Sequence, residues 1–491
     1  MTPDLPNPAR PNPARPNPAR PEVARPDVAW PPRLANGTEL LGPFKDSGMT
    51  EPPSLVRRAD GQVIQLSRLV YLVARLLDGS GGPDVIAAKA SAELGRTLSA
   101  EQAGYLITAK LAPLGIVAGA AGSAAGSAAG TVAGTAATPA ALPTARPLLA
   151  LRARVTLLPA AAANTAGVFL RPLFSWPVIV AVVAGTAALD YWILSVRAVV
   201  AALAQLLNDP VDLLLVAGLS VASALFHECG HAAGCRRGGA RPGRIGVGIY
   251  LVWPAFFTNV TDSYRLSRAG RLRTDLGGVY FNLIFILGLA GVYAATSDKI
   301  LLLVIALTHL EMLEQLLPFV RFDGYFILSD LVGVTDLFAR IAPVVRSCVS
   351  RGDKDPRVAT LRRPARIVIT AWVLIVIPLL AFTLGYLMLF LPSANRALWR
   401  SADQAGHLAA TALTAHQYAV SAVDALGAAL AFVSIAGMLY VAAGLLRRAV
   451  AVAARWSAGR PARRLAAVLA GIACAGPLVL LWLAQGQFRD W

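Results

Sequence analysis

Two histidines, four residues apart with a glutamate between them, stand inside an apolar run, "ASALFHECGHAAGC", from Ala222 to Cys235. At about 100° per residue on a helix, His227 and His231 point within about 40° of each other, so both imidazoles can reach one metal ion. Glu228 is offset by about 100°. It can flank a metal without ligating it and accept a proton from a bound water, whose pKa a metal lowers toward ~7. That division of labour is the H-E-x-x-H arrangement of zinc chemistry. The chain has only 5 His, which makes chance spacing a weak competitor. The competing structural reading is a pair of buried histidines bonded to nearby backbone. It leaves Glu228 charged in an apolar helix without a partner, a costly arrangement.

Two histidines and a water need a third protein ligand. The stretch "PFVRFDGYFILSDLVG" supplies Asp323 at the end of another apolar run, with Pro318 to break the helix before it and Gly324 to let the backbone turn beside a metal. The alternative for Asp323 is a helix-end cap or an ion pair with Arg321. Polar residues also interrupt the apolar run ahead of it. Glu314 lies about 13 Å from Asp323 along a helix, too far to share an ion without a sharp bend. His309, Glu311 and Glu314 are read equally as groups lining a water path and as interhelical hydrogen-bonding groups.

Positioning these groups falls to membrane-type helices. The chain is 56% hydrophobic, and its mean hydropathy is +0.57. Both values exceed those of soluble domains. About seven runs are long enough to cross a bilayer, at roughly 174–196, 211–235, 278–297, 300–320, 366–392, 418–446 and 465–485. The net charge of +17 is not a nucleic-acid signature, because the arginines crowd alternate loops. Arg236, Arg237, Arg241 and Arg244 follow the second span, Arg346, Arg351 and Arg357 the fourth, and Arg447, Arg448 and Arg455 the sixth. The intervening loops hold little beyond Arg197, Lys299, Arg396 and Arg400. This positive-inside pattern predicts a multi-pass membrane protein with a cytoplasmic N-terminus and an external C-terminus. It also places both halves of the site near the cytoplasmic edge. The four cysteines do not read as a disulfide framework, and the polar, proline-rich start does not read as a cleavable signal peptide.

The predicted fold class is mainly α, a polytopic helical membrane protein carrying a small N-terminal α+β domain. Residues 1–37 form a Pro/Arg arm built on tandem "PNPAR" and expected to be extended and disordered. Residues 38–117 read as a winged-helix-like domain. "SLVRRADGQVIQL" is a hairpin with Asp60-Gly61 at its turn, Ser67 caps a first helix, Pro83 and Gly95 bracket a second, and Ser99 with Gln102 has capping-box spacing for a third. Residues 118–146 are an Ala/Gly-rich linker, 147–345 the core holding the site, and 346–491 a C-terminal set of transmembrane helices. Arg152 and Arg154 are expected at the membrane interface. "IGVGIYLVWPAFFTNV" reads as a re-entrant hairpin offering a strand edge, or as plain interfacial packing. Asp262 and Asp275 are expected to pair with nearby arginines, and Asp190 to be isolated and structural.

"FHECGHAAG", "GGVYFNLIF" and "LLPFVRFDGYF", in that order, resemble the motifs of the site-2 protease family of intramembrane zinc metalloproteases, over residues about 170–340. The resemblance implies Zn2+ held by His227, His231 and Asp323, with Glu228 as general base and Asn282 as a polar residue holding substrate or oxyanion. Where the family has Asn three residues before the proline, this chain has Gln315. The N-terminal module resembles leader-peptide recognition domains, including the peptide chaperone of quinone-cofactor biosynthesis. The whole architecture is similar to membrane metalloproteases that accompany bacterial peptide maturation and export. Together these imply a zinc metalloendopeptidase removing the leader of a ribosomally made peptide, with an export transporter as a possible partner and no nucleic acid. Cleavage of a transmembrane regulator, or peptide binding without proteolysis beside an export pump, are the alternatives.

Overall fold

The computed structural model describes residues 30–59, 62–118, 152–195, 210–250, 253–349 and 355–484. The 1–29 stretch of the arm, the Asp60-Gly61 turn and the linker from 119 onward lie outside them. Most of the described chain is helical, and it divides into two compact units.

The first unit comprises Met1–Leu40, Val56–Asp60 and Leu66–Thr144. Strands β1 (Glu39–Pro43), β2 (Ser54–Arg57) and β3 (Val63–Leu66), each divided between the two units, form an antiparallel sheet in the order β1-β2-β3, of which the hairpin expectation covered only the second and third strands. Helices α1 (Arg68–Arg75), α2 (Pro83–Leu94) and α3 (Ala100–Tyr105) follow. Their ends are where the capping residues put them. The Ser67 hydroxyl accepts from Val70 N, Gly95 adopts the left-handed conformation after α2, and Ser99 and Gln102 complete a reciprocal capping box. Val73, Ile86, Ala90, Ile107 and Leu111 are buried in this unit. Before β1, Leu34 N donates to Leu77 O and Ala35 N to Ile116 O, so the chain from Trp30 to Gly37 is built into the same unit.

The second unit comprises Leu41–Leu55, Gly61–Gln65 and Ala145–Trp491. It opens with β4 (Arg152–Leu158), so Arg152 and Arg154 lie in a strand. Then come α4 (Ala160–Leu170), α5 (Trp176–Ser195) and α6 (Pro210–Arg237). Strands β5 (Ile245–Tyr250) and β6 (Trp253–Thr258) form the expected hairpin, and β4 pairs antiparallel with β5 to give the order β4-β5-β6. Next are α7 (Arg268–Asp275), α8 (Gly277–Thr296), α9 (Ile300–Leu316), α10 (Asp323–Val332), α11 (Phe338–Val349) and the single turn α12 (Pro356–Ala359). The C-terminal helices are α13 (Arg363–Thr414), α14 (Tyr418–Ser457) and α15 (Pro461–Ala484).

Among the described residues, six helices are long and apolar enough to cross a membrane, where the sequence suggested about seven. The difference is α9. It has 17 residues, about 25 Å at 1.5 Å per residue, against ~30 Å of hydrocarbon. Its first turns are enclosed by protein, with Ile300 to Ile305 all buried against Val216 of α6 and Ile286 and Leu289 of α8. The region near 393–417, read as helical but beyond the fifth span, continues that span's helix to Thr414. α13 runs unbroken for 52 residues, about 78 Å, despite Pro378 and Pro392. It lies antiparallel to α14, with Trp399 edge-on to Phe432 at 5.7 Å and the Ser421 hydroxyl bonded to Ala409 O. Helix α14 also packs against α6 and β6.

Candidate metal centre

α6 and α8 cross with almost no side chain between them. A Cβ on Gly230 would lie 2.2 Å from Gly277 O, and one on Gly277 would lie 2.4 Å from Gly230 O. This crossing brings the start of α8 against the last turns of α6, where the His-Glu-His set sits. His227, Glu228 and His231 are all buried, with ligating atoms within 4.8 Å of one another.

Asp323 joins them from α10, of which it is the first residue. Its Oδ2 is 3.0 Å from His227 Nε2 and 3.4 Å from His231 Nε2, and the two Nε2 atoms are 3.1 Å apart. Ligand atoms about 2.0–2.1 Å from a tetrahedral ion are about 3.3 Å from each other. The triangle therefore has the size that one such ion requires. Protonation is consistent with this use. His231 Nδ1 lies 2.8 Å from the Thr274 carbonyl, which can only accept, so this ring carries its proton on Nδ1 and turns the Nε2 lone pair into the triangle. Asp323 Oδ2 is buried with no hydrogen-bond donor. The Nε2 atoms of both histidines and Asp323 Oδ2 thus converge on one point. The residues fit a zinc ion. Arg321, the alternative partner for Asp323, pairs instead with Asp336 at 3.3 Å.

Glu228 is held from outside its own helix. Thr258, the last residue of β6, donates its hydroxyl to Glu228 Oε2 at 2.7 Å and lies 2.9 Å from Glu228 O. Asn282 of α8 is buried on the facing helix, and its Oδ1 has no partner. A Cβ on Gly278 would meet His227 Nε2 at 2.3 Å, so only a glycine leaves space for that ring. A Cβ on Gly324 would lie 2.0 Å from Leu316 O, which explains how α10 can start so close to the end of α9.

Under this centre lies a charged cluster that the sequence reading missed. Arg271 of α7 is completely buried, and its Nε donates to Asp330 Oδ1 of α10 at 2.8 Å. The pair fastens α7, whose Thr274 carbonyl orients His231, to α10, which carries Asp323. Asp275 does not pair with an arginine as expected. Burial pushes its pKa well above the usual carboxylate range, and the charge of Asp330 adds to the effect. Of two buried carboxylates close together, the one without an arginine keeps its proton more readily. Asp262 does meet an arginine, Arg265, at 2.5 Å, and it accepts from Arg241 N. The Arg271 cluster is closed by Leu41–Leu55. The Arg271 guanidinium stands 4.2 Å from the centre of the Phe44 ring and donates to Lys45 O at 3.2 Å. Gly48 N donates to Gly333 O, and Arg362 N to Gly48 O.

Two other histidines pair elsewhere. His309 pairs with Asp190 at 3.0 Å, joining α9 to α5, so Asp190 is not isolated. His407 is exposed, 3.7 Å from Asp403.

No known family profile matches the chain, and no solved structure does. Over 118 residues, 24% of the chain, it is 28% identical to a Bacillus subtilis (strain 168) protein named "Putative peptide zinc metalloprotease protein YydH". The match covers 47% of that protein, so the chain spans about half the length of the curated relative it matches. The likeness to a zinc metalloprotease agrees with the buried His-Glu-His cluster and the membrane-length helices.

Proposed function

We propose that the protein is an intramembrane zinc metalloendopeptidase of the site-2 protease type that cleaves a peptide precursor, removing the leader of a ribosomally made peptide. The observation that carries this reading is the convergence of His227 Nε2, His231 Nε2 and Asp323 Oδ2 within 3.4 Å, with Glu228 buried beside them. When bound to these atoms, Zn2+ would supply a Lewis acid for the scissile carbonyl and an acidified water.

The chain's own groups do the rest. Glu228 takes the proton of the attacking water and returns it to the leaving amine. The Thr274 carbonyl fixes the tautomer of His231. Asn282, whose Oδ1 has no partner, holds the substrate or its oxyanion. An extended substrate adds to the edge of β6, which no strand covers among the described residues. The N-terminal domain captures the precursor in the cytoplasm, and the linker raises its effective concentration at the site. The bilayer is that of a bacterial-type plasma membrane, the N-terminus is cytoplasmic, and an export transporter accepts the product.

The test is to purify the full chain in detergent, measure its zinc by mass spectrometry, and compare wild type with Glu228→Gln on candidate precursors. One zinc per chain in both, with cleavage only by wild type, is expected. Equal cleavage removes the role of Glu228, and a folded protein that takes up no zinc removes the metal centre. Binding without turnover under any condition favours a non-proteolytic peptide-binding role.

A further inference from the structure

Glu228 and β6 are joined by one side chain. Thr258 ends β6, opposite Ile245 of β5. The next residue, Asn259, donates its N–H to Arg244 O at 3.0 Å and accepts from Gly243 N at 2.7 Å, so its backbone faces the β5 side. Backbone direction alternates along an antiparallel strand. The N–H and C=O of Thr258 therefore face the opposite edge, the one that no strand covers among the described residues. The Thr258 side chain meanwhile reaches the helix, 2.7 Å from Glu228 Oε2 and 2.9 Å from Glu228 O. A hydroxyl has one proton to give and two lone pairs to accept with. Both oxygens of Glu228 can only accept, so the single proton serves the nearer one, Oε2, and ties the carboxylate to the end of β6.

We propose that Thr258 is a positioning residue that holds the Glu228 carboxylate against the end of β6, so that a peptide strand pairing with the backbone of Thr258 meets a base already in place. The inference rests on Glu228 being the general base, and it adds the physical link between the substrate edge and that base. It explains why a threonine terminates the strand. Valine has the same shape and strand preference but cannot donate, whereas serine can.

The experiment compares wild type, Thr258→Val and Thr258→Ser as full-length chains in detergent. The first readout is the infrared carboxylate band of Glu228 in metal-free protein, isolated by subtracting Glu228→Gln made in each background. Loss of a hydrogen bond moves that band. It is expected to shift in Thr258→Val and to stay at the wild-type position in Thr258→Ser. The second readout is hydrolysis of dye-labelled casein by the zinc-loaded proteins. A kcat loss of about 10–100-fold is expected in Thr258→Val, with KM and zinc content unchanged and with recovery in Thr258→Ser. A Glu228 band at one position in all three proteins overturns the proposal, and so does a serine variant that behaves like the valine one. A Glu228→Gln protein that hydrolyses casein at the wild-type rate overturns the general-base reading instead, while the infrared comparison still decides whether Thr258 holds the carboxylate.

Discussion

Gly278→Ala tests how closely the helix crossing sets the metal centre. On its own helix the change is tolerated, since Gly278 lies in the first turn and alanine is a better helix former than glycine. In space it is not. The new Cβ would sit 2.3 Å from His227 Nε2 and 2.4 Å from Cε1, where ordinary contact begins at 3.4 Å. The ring must therefore retreat by about 1.1 Å, roughly twice the ~0.5 Å within which a ligand set stays productive. Helix α8 can back away only by opening the backbone contact of Gly230 and Gly277 beside it. Losing good geometry at one of three ligands is expected to weaken zinc binding at least about 100-fold, or about 2.8 kcal/mol. The assay is competitive titration of zinc against a chromophoric chelator, with thermal unfolding of the metal-free protein alongside. Gly291→Ala is the control, since it lies on the same helix with nothing within 4 Å of the added carbon. If Gly278→Ala bound zinc within about 3-fold of wild type, the close approach of α8 to His227 would not be what shapes the centre.

Two further outcomes concern the support beneath the site. Asp275 has its pKa raised by burial, so the native state retains a proton that the unfolded chain releases. Stability is then full below the ordinary carboxylate range and falls as pH rises through the raised value. Asp275→Asn should keep the fold and flatten that fall in a series of Tm measurements, and an unchanged slope would contradict a protonated Asp275. Phe44 is 1% exposed with its ring over Arg271. Phe44→Ala should cost about 3–5 kcal/mol in detergent unfolding, and Phe44→Leu, which keeps volume but not the cation–π contact, about 1–2 kcal/mol. A Phe44→Ala protein within 1 kcal/mol of wild type would show that Leu41–Leu55 is not part of the packed unit.

Much of this arrangement is local and was therefore legible in the residue order. The spacing of His227 and His231 needs only the helical period, and the buried cluster follows it. The capping box at Ser99 and Gln102 and the hairpin of β5 and β6 are likewise set within a few residues. Hydropathy located the membrane helices but overcounted by α9, because a run of apolar residues does not say whether lipid or protein will surround it. The same ambiguity hid the ends of the C-terminal helices. Nothing in the polar run after Leu391 marks it as loop, and α13 continues through it to Thr414.

What only the tertiary structure decided is which distant groups meet. Residue order offered Asp323 either the histidines or Arg321, and packing placed it on the histidines while Arg321 went to Asp336. Thr258 reaches Glu228 across 30 positions, Arg271 reaches Asp330 across 59, and Arg271 reaches Lys45 across 226. No periodicity announces such pairs. A helix or turn is selected by torsions and hydrogen bonds among neighbours, which the local sequence specifies directly. A contact between remote segments exists only after whole surfaces have been fitted together, here by glycines that let α6 and α8 touch. The sequence by itself determined that this protein would carry a His-Glu-His helix in an apolar setting. The fold decided what completes that site and what holds it in place.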